Sequence, residues 1–249
     1  MQSVAMRRSS AIEHPLVLVA HGSADPRSAA NARAVGDQVA RLRPGLDVRV
    51  AFCEHNSPPL VDVLRECPDR AVVAPLLLAN AYHARVDIPS QIAGSGAADR
   101  VLQAEVLGED DRLVSVLRQR VTELRVSRRD NRIGVLVVAI GSSDAVANAH
   151  TAEVAPRLLA GTRWAAATTA FATHPEPSLA ESVQRLRHMG ARRVVIAPWF
   201  LAPGRIPDRV ERFARDAGLA MAAPLGAHRL VAQTVLARFD RAAGARIAA

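Results

Sequence analysis

Apolar residues follow two rhythms along the chain. Short runs rich in β-branched residues, LVLVA (16–20), VRVAF (48–52), AVVAPLLL (71–78) and VLQAEVL (101–107), read as strands. Between the first two, Val35, Val39 and Leu42 share one helical face, and Leu113, Leu117, Val121 and Leu124 stripe another. Ser57 ahead of Pro58 reads as an N-cap followed by proline at the first helical position. Strands alternating with helices predict right-handed crossovers and a parallel sheet covered on both faces. In such sheets ligands bind beyond the carboxyl ends of the strands.

The pattern then repeats. LVLVAHGSADPRSAAN (16–31) has its counterpart in VLVVAIGSSDAVANAH (135–150), which aligns Gly22 with Gly141, Ser23 with Ser142 and Asp25 with Asp144. The same spacing pairs Ala51-Phe52 with Ala170-Phe171 and Pro58 with Pro177. After a short insertion, Ala74-Pro75 pairs with Ala197-Pro198 and Leu78-Ala79 with Leu201-Ala202. Repetition on this scale marks a duplicated unit. The expected organisation is a short tail (1–14), a first half (15–127) and a second half (131–245), joined through the polar stretch SRRDN (127–131). Each half is expected to be an α/β unit with about four parallel strands, the two packed side by side.

Composition narrows the chemistry. The 32 cationic residues are all arginine, against 24 acids, for a net charge of +8. Without lysine there is no Walker-type phosphate loop and no Schiff-base enzyme. The arginines are scattered and aromatics make up only 3%, so a nucleic-acid surface is not expected. No apolar run reaches membrane-span length, and the arginines of the tail precede no apolar segment, so neither a membrane span nor a secretory signal is expected. Cys53 and Cys67 fit no metal or redox spacing and read as reduced thiols of a cytoplasmic protein.

Three residues at predicted strand ends can do chemistry. His21 ends the first strand, Glu54 the second, and His83 lies just past the third. Two imidazoles and a carboxylate suit a divalent ion of the Fe, Co, Ni or Zn type and proton removal near neutral pH. The repeat supplies an internal control. The counterparts are Ile140, Thr173 and Ile206, although the surrounding Gly-Ser, Ala-Phe and Leu-Ala residues persist. Side chains needed by the fold should recur in both halves, so the trio reads as one site kept once. His55 would point to the opposite face of its strand, and His14, His150, His174, His188 and His228 read as surface residues.

The stretches LVAHGSADPR, AFCEHNSPPL and APLLLANAYHARVDIP resemble the sirohydrochlorin chelatases of the small cobaltochelatase and siroheme ferrochelatase type, over roughly residues 15–240. The resemblance implies two tandem flavodoxin-like halves of the chelatase fold. It implies ATP-independent insertion of a divalent metal (Fe2+, Co2+ or Ni2+ as substrate, with Fe2+ expected first and Co2+ next) into sirohydrochlorin, for siroheme or cobalamin. His21 and His83 would handle the metal and Glu54 would be the nearby acid. No tightly bound cofactor, iron–sulfur cluster or fused dinucleotide domain is expected; GSGAAD (94–99) follows no predicted strand. The substrate is a planar ring bearing eight carboxylates, which arginines hold through bidentate pairs. Ser23, Arg27, Arg85 and Arg205 are the candidate substrate contacts on predicted strand-end loops. A monomer is expected, because the tandem halves supply the interface that short relatives obtain by dimerising. The alternative is a non-catalytic carrier of metal or tetrapyrrole; an FMN module is disfavoured because HGSADPRS lacks a typical phosphate loop.

Overall fold

The structure is a computed structural model describing residues 14–67, 70–173 and 177–244; the expected tail through residue 13, and His174, lie outside the described residues. In the first half, β1 (Leu16–Ala20), α1 (Pro26–Leu42), β2 (Val48–Phe52), α2 (Leu60–Arg65), β3 (Ala71–Pro75), α3 (Ile88–Gly94), β4 (Val101–Gln103) and α4 (Asp111–Glu123) follow in order. The second half repeats the scheme with β5 (Ile133–Ala139), α5 (Ala145–Ala152), α6 (Val154–Leu159), β6 (Ala166–Phe171), α7 (Leu179–His188), β7 (Arg193–Pro198), α8 (Arg205–Asp216), β8 (Ala220–Met221) and α9 (Arg229–Gly244). The sheet orders are β2-β1-β3-β4 and β6-β5-β7-β8, parallel throughout.

Both faces of each sheet are buried, which is why the central strands read as unbroken apolar runs. Along β1, Val17 and Val19 pack outward with α2 and α3, while Leu16 and Leu18 pack inward. Along β5, Leu136 and Val138 face α7 and α8, and Val135 and Val137 face inward. The inward faces of both sheets, together with α1, α4, α6 and α9, form a single core. The layers therefore run helix, sheet, shared helices, sheet, helix.

Within the shared layer the halves exchange their terminal helices. α9 lies against α1 and β3 of the first half, and α4 lies against α6 and β7 of the second. Two arginines at matching repeat positions fix the exchange. Arg120 on α4 donates to the carbonyls of Pro224 and Leu225 (3.1 and 3.3 Å). Arg238 on α9 donates to the carbonyls of Val106 and Leu107 (2.9 and 2.8 Å). The stripe Leu113, Leu117, Val121 predicted for a helix is thus buried, but against the other half's sheet.

Two local expectations are corrected. Ser57 does not cap a helix: α2 starts at Leu60 with Pro59 at its N-cap and no side-chain cap. The Phe52 N–H donates to the Pro58 carbonyl (3.0 Å), which ties residues 53–59 into a loop beside the strand end. The counterpart α7 does carry a capping box, between Ser178 and Glu181. The fourth strand is also shorter than 101–107; it ends at Gln103, and Ala104 and Leu107 turn into the core.

Arg238 is nearly buried and holds two carbonyls as well as Asp110. Arg238→Ala should therefore destabilise the protein by about 2–3 kcal/mol in urea unfolding. Arg241→Ala, which removes only an exposed pair with Glu105, should cost less than about 0.5 kcal/mol.

Candidate active site

His21 and Glu54 are neighbours because the β1–β2 ladder continues one step past its regular strands. The Cys53 N–H donates to Ala20 and the Glu54 N–H to His21, both at 3.0 Å. Gly22 then turns the chain away at φ 99°, in the left-handed region, with the β2 loop pressed against it. A Cβ at this position would sit 1.8 Å from the Glu54 carbonyl oxygen, so only glycine fits.

Past β3, His83 opens a wide π-type turn, His83–Asp87, in which the Ile88 N–H reaches back to the His83 carbonyl. Such turns often occur at functional sites. This one sets His83 and Asp87 side by side, with Nδ1 of His83 in a short hydrogen bond to the Asp87 carboxylate. The His21 and His83 rings face each other, centroids 4.0 Å apart and 35° from parallel. Nε2 of His21 lies 3.0 Å from Glu54 Oε1, and Nε2 of His55 lies 3.1 Å from the same oxygen.

The three predicted residues are therefore brought together, and two more join them. His55 was expected on the opposite face. It lies instead past the end of β2, at φ 59°, where the turn swings its ring back to Glu54. Asp87 was visible in the sequence only as the carboxylate four residues after His83, a spacing that meets on one helical face.

Carboxylates accept, so they fix the tautomers. Nδ1–H of His83 points to Asp87 and leaves Nε2 with a free lone pair, as a metal-handling histidine requires. Nε2–H of His21 points to Glu54, and its Nδ1 is buried without a hydrogen-bond partner. Burial, with the neighbouring His83, pushes the His21 pKa down, against opposing pulls from Glu54 and Asp87. Burial, helped by Asp87 and Glu54, also lifts the nearby Cys53 thiol to about 11. Among the described residues no group of three or more His, Cys, Asp and Glu side chains is arranged to hold a metal by itself.

The second half lacks the groups of His21, Glu54 and His83 at the matching positions; the counterpart of His55 is His174, which lies outside the described residues. Ile140 is exposed, Thr173 Oγ1 donates back to the Ile140 carbonyl (2.7 Å), and Ile206 packs toward the outer core. Ser23 behaves differently from the trio. Its hydroxyl accepts from the Asp25 N–H (3.1 Å), and Ser142 does the same for Asp144, so building the loop accounts for its presence in both halves.

Two of the candidate arginines are engaged by carboxylates. Arg27 grips Asp25 and also reaches Asp208 of the second half (2.5 Å), while Arg85 pairs with Asp144. Arg205 is exposed at the start of α8. The hydrogen bonds from Arg27, aided by the charge of Arg205, hold the Asp25 carboxyl down at about 2. The other histidines stand apart: His150 and His188 are exposed on helices, and His228 caps α9 by accepting from the Leu230 N–H (3.1 Å). A cavity of about 900 Å³ opens beside the imidazoles rather than over them, sharing Asn80, Ala84 and Arg85 with the site's flank.

Two four-stranded parallel sheets in tandem, with loop-borne imidazoles at the strand ends of one half, define the chelatase-like architecture. SirB from Bacillus subtilis, solved with Fe3+, has the same fold, with a TM-score of 0.80 at 21% identity, covering 94% of this chain and 98% of that one. The family model CbiX matches twice, over residues 15–124 and 134–242, and the chain belongs to the CbiX family. A sirohydrochlorin ferrochelatase of Priestia megaterium is 30% identical over 218 residues, 81% of this chain and 80% of that protein. A sirohydrochlorin cobaltochelatase of the same organism is 26% identical over 218 residues, covering 81% and 68% respectively. No described helix is long and apolar enough to cross a membrane.

Two outcomes follow from this geometry. Gly22→Ala should displace the Glu54 loop and lower stability by more than about 1 kcal/mol, read by urea unfolding. A His21 pKa below the usual 6.5 means the unfolded chain takes up that proton first as pH falls. Stability should therefore drop as pH passes downward through 6.5, and the drop should shrink in His21→Gln, measured by urea midpoints at stepped pH.

Proposed function

We propose that the protein inserts a divalent metal ion into sirohydrochlorin without ATP, with Fe2+ the first expectation and Co2+ the next. The observation that carries this reading is the stacked pair His21–His83 with its three carboxylate-linked contacts, present in one half and absent from the other. The names of the two Priestia megaterium relatives support the ring as substrate and include both metals. Imidazole and carboxylate donors accept several first-row ions, so the donor set favours neither.

Insertion exchanges two pyrrole N–H protons for one M2+. His83, turned by Asp87 so that Nε2 stands free, takes a place in the shell of the arriving hydrated ion and yields it to the ring nitrogens. His21, kept neutral near pH 7, and Glu54 stand as the bases for the leaving protons. His55, more than half exposed and on the same carboxylate oxygen, gives those protons an outlet to solvent. Arg27, Arg85 and Arg205 are the groups to hold ring carboxylates, and the cytoplasm is the compartment in which this chemistry is expected.

Anaerobic mixing of metal-free sirohydrochlorin with Fe2+, Co2+ or Ni2+ tests the reading through the absorbance change of the ring. Insertion should run faster than the protein-free rate with at least one metal. Binding of ring and metal without acceleration would instead establish a carrier. His83→Ala and His21→Ala should each remove most of the acceleration, and Asp87→Asn should slow insertion about 10- to 100-fold while leaving unfolding nearly unchanged.

A further inference from the structure

Two of the ion pairs between the halves form a set related by the repeat. Arg27, after β1, reaches Asp208 on α8; Arg85, after β3, reaches Asp144 after β5. Position 208 is the repeat counterpart of position 85, and position 144 that of position 25. Each pair thus joins a first loop of one half to a third-strand loop of the other. The guanidinium comes from the first half both times and the carboxylate from the second. Position 146, opposite Arg27 in the repeat, is an exposed valine. All four side chains are partly exposed: Arg27 49%, Asp208 37%, Arg85 53%, Asp144 24%.

Asp144 Oδ1 is committed to capping α5, accepting from Val146 and Ala147, and only Oδ2 meets Arg85. Its charge is therefore separable from its capping role. Pairs this exposed contribute little to stability. A ligand presenting several carboxylates at once can displace them, because each arginine exchanges one carboxylate for another with similar hydrogen bonds.

We propose that Asp144 and Asp208 are built-in stand-ins for substrate carboxylates. In the free protein they occupy Arg85 and Arg27, and the polycarboxylate ring binds by displacing them. This rests on the tetrapyrrole reading above. The two aspartates set the affinity for the ring by competing with it, and the loops of the two halves are released from each other when it binds.

Titration of metal-free sirohydrochlorin into the full-length protein, without metal, reads the competition directly. Asp144→Asn and Asp208→Asn should each tighten binding by about two- to fivefold, the equivalent of one exposed pair. Asparagine also retains the N-cap at position 144. Arg85→Ala and Arg27→Ala should weaken binding. In an Arg85→Ala background, Asp144→Asn should change the affinity by less than about 1.5-fold, because the competed partner is gone. Weaker or unchanged binding in the asparagine variants overturns the proposal. So does tightening that persists without Arg85, which would mean simple repulsion of an anionic ring. If the wild-type protein does not bind the ring, the tetrapyrrole reading and the stand-ins fall together; if it binds and the asparagine variants do not tighten, only the stand-ins fall.

Discussion

The guanidinium groups of Arg120 and Arg238 each leave a terminal helix and close on backbone carbonyls at the far end of the opposite sheet. A carbonyl there has lost its ladder partner and lies largely out of water, so it needs a donor from elsewhere. By supplying it from the other half, the chain makes each sheet's completion depend on its neighbour. The shared inner core follows from the same exchange, since α4 and α9 bury their apolar stripes across the interface. The site loops of the two halves face each other only because this layer sets their separation, and the ion pairs Arg27–Asp208 and Arg85–Asp144 are its visible product.

Duplication gave the protein two equivalent sets of strand-end loops and one set of chemical groups. The scaffold residues remain in both: the glycines at φ 99° and 94°, the serines that close the loops, and the aspartates that cap the following helices. His21, His83 and Glu54 remain in one. A half-buried histidine whose Nδ1 is buried without a hydrogen-bond partner, such as His21, costs folding free energy, and a half relieved of chemistry has no reason to keep it. Isoleucine at 140 and 206 is what the same positions hold when only the fold is maintained.

Much of this was legible in the sequence, for identifiable reasons. β1 begins and ends where its apolar run does, because a parallel strand buried on both faces leaves no polar position inside it. His21, Glu54 and His83 stood out because the second copy lacks them. Asp87 did not, since a carboxylate on a helix reads as solvated until its partner's orientation is known. His55 was misjudged because alternation applies only while the strand continues, and the turn at φ 59° resets it. The exchange of α4 and α9 left no trace either: a helical stripe records that one face is buried, not which sheet buries it. Ser57 shows that a capping residue before proline is a local preference, and that a backbone hydrogen bond from Phe52 can override it.

Chain order gives the exchanged helices a further meaning. The sheet that carries His21, Glu54 and His83 is assembled from residues before position 104, yet while α1 covers β1 and β2, the inner face of β3 stays open until Arg229–Gly244 arrives. On a ribosome, every strand of that half emerges well before the helix that seals it. α4 is meanwhile made early and must wait for α6 and β7, the surface it belongs to. The chemical half is thus finished last, by a segment distant from it in sequence. Newly made chains without α9 would present the apolar inner side of β3 rather than a finished first half.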